Sequence, residues 1–405
     1  MSYLTDNQKK SIELSDIFLQ HADVYIKKIG VSSVQNKAIK AISHCRTSAL
    51  GGHVTRCDHC GVEEISYNSC RYRCCPKCQT IKQLRWLENR KAELLPVNYF
   101  HVVFTLPHEL NSIASYNPSI IYNLLFKAAW ATIYTLGQDQ NRLGGLMGML
   151  AFLHTWGQNL SQHIHLHCMI PGGALCEINS QKIWCSSKSG FLFPVKIMSK
   201  LFRKIFLTLL QQATVNNELQ FKGSITELSE SNNFRKLIFL LTTKSWNVYA
   251  KKPFNGAEGG LEYLARYVSK TAIGNERILS CDEKHVIFQW RDYADQSKKK
   301  VMKLDVHEFI RRYLSHILPD GFMRVRSFGF LANARKSKNI ALIRKCLNPK
   351  ATDNKQDTHK EPIIALIKRI TGIDIEQCKQ CNIGRLETVQ SFHGVKKSSI
   401  YLDPS

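Results

Sequence analysis

Apolar residues recur at helical spacing over residues 10–29, where Ile12, Ile17, Phe18, Val24 and Tyr25 share a face and Gly30 closes the segment. A second amphipathic helix is expected over 34–43. The pattern then changes period. Residues 100–107 are a β-rich run ended by proline, 118–136 read as helix, and 146–156 and 163–170 are apolar strands separated by the turn-like 157–161. Two strands around so short a connection make an antiparallel hairpin. Further strands are expected at 191–195, 237–243, 246–251, 285–290 and 293–303. Helices are expected over 197–211, 261–270 and 362–371, and 352–361 reads as a polar linker.

Inside the hairpin the alternation carries chemistry. His163, His165 and His167 project to one face of a strand, with Ile164 and Leu166 on the other. Imidazole is the commonest metal ligand, so this face is a metal-site candidate. Folding the chain about residues 159–160 places His154 opposite His165. His154, His165 and His167 then cap one ion and leave positions open for water and substrate, with His163 and Gln158 as competitors for the third place.

The 405 residues hold 56 Lys and Arg against 32 Asp and Glu, a formal charge of +24. That excess favours a polyanionic partner, with nucleic acid preferred to an anionic membrane surface. No apolar run reaches spanning length and the first residues do not read as a signal peptide, so a soluble, cytoplasmic protein is expected. Nine Lys or Arg stand between residues 311 and 345 against the single acid Asp320. Tyr313, Phe322, Phe328 and Phe330 are interleaved there, as on a surface that tracks phosphates and stacks bases. The same pattern also suits a solvated basic face over core aromatics. Arg71, Arg73, Lys77, Arg311, Arg312, Arg324, Arg326, Arg335 and Lys336 are the candidate DNA contacts.

Fourteen cysteines in a long chain without a secretory leader point to metal rather than disulfides. Seven lie within 45–78. The spacing suggests one tetrahedral site from Cys57, Cys60, Cys75 and Cys78, and a second from Cys45, His53, Cys70 and Cys74; both are closed and therefore structural. Cys378 and Cys381 form a further knuckle whose partners the sequence leaves open.

Tyr263 and Tyr267 stand at i and i+4 on the helix expected over 261–270. Such a pair is usually core. Beside a histidine metal site in a basic chain, a phenol can instead attack a phosphodiester when a metal withdraws charge from the scissile phosphate.

Together these pieces resemble the insertion-sequence-91 type of transposase, the two-tyrosine HUH class. The resemblance is carried by Cys45-Arg-Thr, Leu50-Gly-Gly-His53, Tyr67-Asn-Ser-Cys70-Arg, Cys75-Pro-Lys-Cys78-Gln, Phe104-Thr-Leu-Pro, His154-Thr-Trp-Gly-Gln-Asn-Leu160, His165-Leu-His167-Cys168, Pro171-Gly-Gly173, Tyr263-Leu-Ala-Arg-Tyr267, Glu308-Phe-Ile-Arg-Arg312 and Gly329-Phe-Leu-Ala-Asn333. Two positions depart from the pattern: Cys74 stands where histidine is common, and the C-terminal knuckle lacks a proline often found inside it.

The resemblance implies an α+β fold, an HUH endonuclease core of antiparallel sheet flanked by helices. An N-terminal helical and zinc-binding domain (1–95) would precede the endonuclease domain (96–305), and a basic helical extension with the knuckle (306–405) would follow it. It implies His165 and His167 as the pair that holds Mg²⁺ or Mn²⁺, and Tyr263 and Tyr267 as nucleophiles. It also implies structural Zn²⁺ at the cysteines, single-stranded transposon ends and target DNA as partners, and no nucleotide cofactor or membrane. A non-catalytic zinc-dependent DNA-binding protein would leave the histidines and tyrosines unused. A histidine-metal hydrolase would form no covalent intermediate.

Overall fold

The computed structural model describes residues 12–188, 190–251, 259, 271–293, 295–349 and 361–394. Tyr263 and Tyr267 lie outside them, as does most of the expected polar linker. The chain is mixed α and β, and every strand pair among the described residues is antiparallel.

At the centre is a five-stranded sheet ordered Val325–Gly329, Gly148–Trp156, Gln162–Pro171, Tyr99–Thr105, Val248–Lys251. Strand alternation gives it two unlike faces. Phe100, Val102, Phe104, Met149, Ala151, Leu153, Ile164, Leu166, Cys168 and Ile170 point to the main core, under the helices Pro118–Gln138 and Val195–Val215. There Phe104 meets Phe202 at 4.9 Å between ring centroids, and Trp246 packs edge-on to Phe202. The opposite face divides along its length. One end holds the apolar cluster Tyr99, Leu150, Phe152 and Met169, covered by Trp86 and Leu87 of the helix Gln79–Lys91. The other end carries the histidines.

A second core joins the helices Leu14–Ile29 and Ser33–Ser43 to the helix Val306–Leu314 and the sheet Ile278–Cys281, His285–Asp292, Lys298–Asp305. A third sheet pairs Leu386–Phe392 with Gly52–Cys57, which pairs in turn with Glu63–Tyr67. The expected segments 1–95, 96–305 and 306–405 thus exchange elements: Val325–Gly329 edges the central sheet, and Leu386–Phe392 completes the N-terminal one. No helix of the described residues is long and apolar enough to cross a membrane.

Two expected strands are corrected. Residues 237–243 belong to the helix Ser231–Thr243, which buries Phe234 and Leu241, seven residues apart on one face, while Phe239 and Leu240 are exposed. A short apolar run fits either period, and here two turns of separation decide it. Residues 191–195 form no strand; Leu192 and Phe193 reach the main core from an irregular segment that leads into Val195–Val215. The sheet material nearby is instead the hairpin Gly173–Ile178 with Gln181–Ser186.

In the basic stretch 311–345 the aromatics follow the second of the two expected readings, a basic face over core aromatics. Tyr313 and Phe330 are fully buried, Phe322 is buried and Phe328 half-buried, so its aromatics are core rather than stacking platforms. Its cations largely serve the fold. Arg326 lies over the rings of Phe126 and Phe322, 4.3 and 5.0 Å from their centroids, and donates to Asn123 Oδ1 at 2.6 Å. Arg311 and Arg312 both pair with Glu308 at 2.6 Å, and Lys336 pairs with Glu93 at 2.6 Å. Lys77 pairs with Glu13, and Arg324 is half-buried. Arg71 and Arg335 are exposed.

Arg73 clamps three carbonyls, donating to Phe322 O (2.8 Å), Leu318 O (2.6 Å) and Pro319 O (2.6 Å). Hydrogen bonds from a charged donor contribute ~1.5–3 kcal/mol each. Arg73→Met is therefore expected to destabilise the fold by about 3 kcal/mol, read in urea unfolding. A normal midpoint together with weakened DNA binding would instead make Arg73 a DNA contact.

Candidate metal centre

The site begins with a turn. Residues 157–161 close the hairpin through Gly157 N–H to Ser161 O at 2.8 Å and Leu160 N–H to Gly157 O at 3.2 Å. The Asn159 side chain accepts from the Ser161 backbone and hydroxyl. Leu160 adopts φ +61°, a left-handed conformation costly for a branched residue, yet its side chain is buried in the second core. Three donors fasten the outward carbonyls. Arg312 reaches Asn159 O at 3.2 Å, His316 Nε2 donates to Leu160 O at 3.0 Å, and Arg277 donates to Gln158 O. The hairpin tip is thereby fixed to the second core, and its register with it.

That register sets His154 opposite His165 and Phe152 opposite His167, with an irregularity between His154 and Trp156. The His154, His165 and His167 ring nitrogens lie within 4.8 Å of one another, and all three residues are buried. His165 Nε2 and His167 Nε2 are 3.0 Å apart. Their outer nitrogens are engaged: His165 Nδ1 donates to His163 O at 2.8 Å, and His167 Nδ1 lies 2.9 Å from His101 Nε2. A carbonyl acceptor fixes the Nδ1–H tautomer at His165, which turns the Nε2 lone pair into the site. Trp156 stacks on His154 with ring centroids 4.6 Å apart and holds the third ring in place.

Burial keeps His165 and His101 neutral. It pushes His165 down to about 3, with His163 adding a smaller effect, and pushes His101 down to about 4, aided by Lys251. Away from the site, burial also takes His316 to about 4. A neutral imidazole is the ligating form, so the donor set fits a divalent cation. The linkage has a definite sign. Each ring has a folded value below its ordinary 6.5, so its stabilising share is present above 6.5 and is lost as pH falls from there toward the folded value. Without added Mg²⁺ or Mn²⁺, unfolding free energy should fall between pH 6.5 and 4 by up to about 1.4 kcal/mol per pH unit per ring. A flat profile of urea midpoints across that range would contradict this burial.

Of the competitors for the third place, His163 is exposed and contributes its carbonyl to His165 Nδ1, and the Gln158 side chain faces Tyr293 OH at 3.4 Å. The group that converges contains His154. A further residue, His101, belongs to the site without any motif to announce it; its signal is a histidine inside the apolar run Phe100-His101-Val102-Val103-Phe104. It stacks on His167 with centroids 5.1 Å apart and 11° between planes. Partners that orient a metal-ligating imidazole are worth about 10- to 100-fold in metal affinity. His101→Phe is expected to weaken Mn²⁺ binding by that factor with zinc content unchanged, as read by titration calorimetry; unaltered affinity would leave His101 a packing residue.

The cysteines do not group as their spacing suggests. Cys45, Cys70, Cys75 and Cys78 converge, with Cys78 Sγ 3.2 Å from Cys45 Sγ and 3.6 Å from Cys70 Sγ. The four thiols share protons unevenly: hydrogen bonds from Cys70 and then Cys75 hold the Cys45 thiol well below its usual range, while the same contacts push the Cys70 and Cys75 thiols up. Cys57 and Cys60 leave this group because the strand Gly52–Cys57 ends beside the C-terminal knuckle, where they meet Cys378 and Cys381. His53 sits inside that strand, opposite Ser66 and Ser391, outside either group. Cys74 is outside as well: its carbonyl accepts from Tyr313 OH at 2.5 Å, and burial pushes its thiol up.

Residues 148–338 match the family described as "Putative transposase", and residues 17–106 match the "Transposase zinc-binding domain". The chain is 41% identical to "Putative transposase y4qJ" of Sinorhizobium fredii, covering 95% of this chain and 96% of that protein. It is 24% identical to the transposase for insertion sequence element IS801 of Pseudomonas savastanoi pv. phaseolicola, covering 75% of this chain and 72% of that one. No solved structure matches. The first match holds the histidine hairpin and the second holds the clustered cysteines, so the chain belongs to the insertion-sequence-91 family of transposases, with a zinc-binding domain near its N-terminus.

Proposed function

We propose that this transposase is an HUH endonuclease that nicks and rejoins single-stranded DNA at transposon ends through a 5′-phosphotyrosine link. The observation that carries the reading is the convergence of His154, His165 and His167 on the face of a central antiparallel sheet whose other face is packed by helices. Three imidazoles leave the remaining positions of Mg²⁺ or Mn²⁺ to water and phosphate oxygens, which those ions prefer. Bound there, the ion would withdraw charge from the scissile phosphate.

The chain supplies the rest. The edge strand Val248–Lys251 runs beside Tyr99–Thr105 and sets Lys251 opposite His101, on the histidine face. The tyrosine segment follows it directly in sequence. Beyond that segment, Ala272 and Ile273 are buried in the core that also holds Leu160 of the hairpin turn. In the cleavage step a tyrosine oxygen bonds to phosphorus and its proton passes to solvent, while the bond from phosphorus to the 3′ oxygen breaks and that oxygen takes a proton from water to give a free 3′-OH. The bond energy is kept in the phosphotyrosine, so rejoining needs no nucleotide. A second tyrosine permits a second cleavage before the first link is resolved, as rolling-circle transfer requires.

The test is incubation with labelled single-stranded terminus DNA and Mn²⁺ or Mg²⁺, followed by denaturing electrophoresis. A protein–DNA adduct that disappears in the Tyr263→Phe/Tyr267→Phe double variant is expected. Cleavage without an adduct would indicate water as nucleophile, and binding without cleavage a non-catalytic protein; either overturns the reading.

A further inference from the structure

We infer that Cys57, Cys60, Cys378 and Cys381 hold a second structural Zn²⁺, a composite site that staples two segments 324 residues apart in sequence. The inference is independent of the nuclease reading. Cys378 and Cys381 lie far outside the matched zinc-binding domain, which ends at residue 106.

The four sulfurs are arranged as such an ion requires. Zinc–thiolate bonds of about 2.3 Å in a tetrahedron put neighbouring sulfurs about 3.8 Å apart. Cys57 Sγ and Cys381 Sγ are 3.7 Å apart, as are Cys60 Sγ and Cys378 Sγ, and all four lie within 4.8 Å of one another. These distances fall well beyond a disulfide bond, and Cys57 and Cys378 are buried.

The backbone repeats one device on both sides. Each pair is Cys-x-x-Cys, and each second cysteine is followed by a residue in the left-handed region, Gly61 at φ +70° and Asn382 at φ +55°. Each turn aims an N–H back at its first or second sulfur: Cys60 N–H at Cys57 Sγ (3.5 Å) and Gly384 N–H at Cys381 Sγ (3.4 Å).

The knuckles also grip each other directly. Asp58 N–H donates to Arg385 O at 3.0 Å, and Arg385 N–H donates to Asp58 Oδ1 at 2.7 Å. Gly384 is required by this approach, because a Cβ there would lie 2.5 Å from Cys57 Sγ and from Asp58 Oδ1. The two knuckles cap one end of the sheet in which Cys57 pairs with Leu386, so metal and strand pairing close the same junction. Four thiolates complete the coordination and leave no position for water, which makes the site structural.

The experiment is metal content of the full-length protein by mass spectrometry under native conditions. Two zinc ions per chain are expected, falling to one in Cys378→Ser/Cys381→Ser. Retention of both ions in that variant overturns the proposal. Should the variant not fold, alkylation of the zinc-loaded wild-type chain with iodoacetamide decides instead. Cys57, Cys60, Cys378 and Cys381 should label at least tenfold more slowly than Cys346 and become reactive together when a chelator is added. Labelling of Cys378 and Cys381 at the rate of Cys346 before chelation overturns the proposal.

Discussion

If the proposed mechanism holds, His165→Ala is expected to abolish nicking of single-stranded DNA, by about 10³-fold or more, while zinc content stays at the wild-type value. The size follows from the role: an ion that withdraws charge from a reacting phosphate is worth several kcal/mol at the transition state, and about 4 kcal/mol is 10³-fold. The selectivity follows from the fold. His165 lies on the central sheet and contributes to neither cysteine cluster. Truncating it removes one ligand and the hydrogen bond to His163 O, and leaves the hairpin turn and its Arg312 and His316 clamps intact. Nicking in parallel with metal quantification checks both halves. Retained nicking would remove the histidine site from the chemistry, and zinc loss would mean that the two kinds of metal centre are not separate.

Cys75→Ser produces the largest change in stability. Structural zinc binds with apparent free energies of about 10–16 kcal/mol in small zinc modules at pH 7, and that binding is folding free energy. Cys45 and Cys75 are fully buried in the core that contains Phe18, Ile42, Phe309 and Tyr313, so losing the ion also opens the packing around it. A loss of at least about 3 kcal/mol is expected, equal to roughly 3–4 °C in Tm if the 405 residues unfold as one unit. One zinc ion per chain should leave with it. Differential scanning calorimetry with a colorimetric zinc assay reads both, and an unchanged Tm would make this cluster a set of free thiols.

The sequence makes legible whatever local spacing decides. A five-residue turn at 157–161 fixes which residues of its two strands face each other, so the meeting of His154 and His165 follows from chain order and strand periodicity alone. The cysteine grouping does not. Three C-x-x-C spacings are locally equivalent, and only the pairing of Gly52–Cys57 with Leu386–Phe392 brings Cys378 and Cys381 to Cys57 and Cys60. His101 is hidden for a similar reason, since its place behind His167 depends on Tyr99–Thr105 lying next to Gln162–Pro171. Counting cations does not reveal their partners within the fold. Arg73, Arg312 and Arg326 look like phosphate ligands in sequence and are tied to carbonyls, Glu308 and aromatic rings in the fold.

The pairing of Gly52–Cys57 with Leu386–Phe392 also constrains when the protein can form. Gly52 bonds across to Phe392, so a chain emerging from the ribosome at about 5–20 residues per second carries an unfinished sheet for roughly 20–70 s. During that interval Gly52–Cys57 and Glu63–Tyr67 are only a two-stranded hairpin, marginal by itself and bare along one edge. Premature termination anywhere before residue 386 would leave that edge open. Such fragments should be aggregation-prone and short-lived, so a truncated copy of the gene would not persist as a folded competitor of the full-length protein.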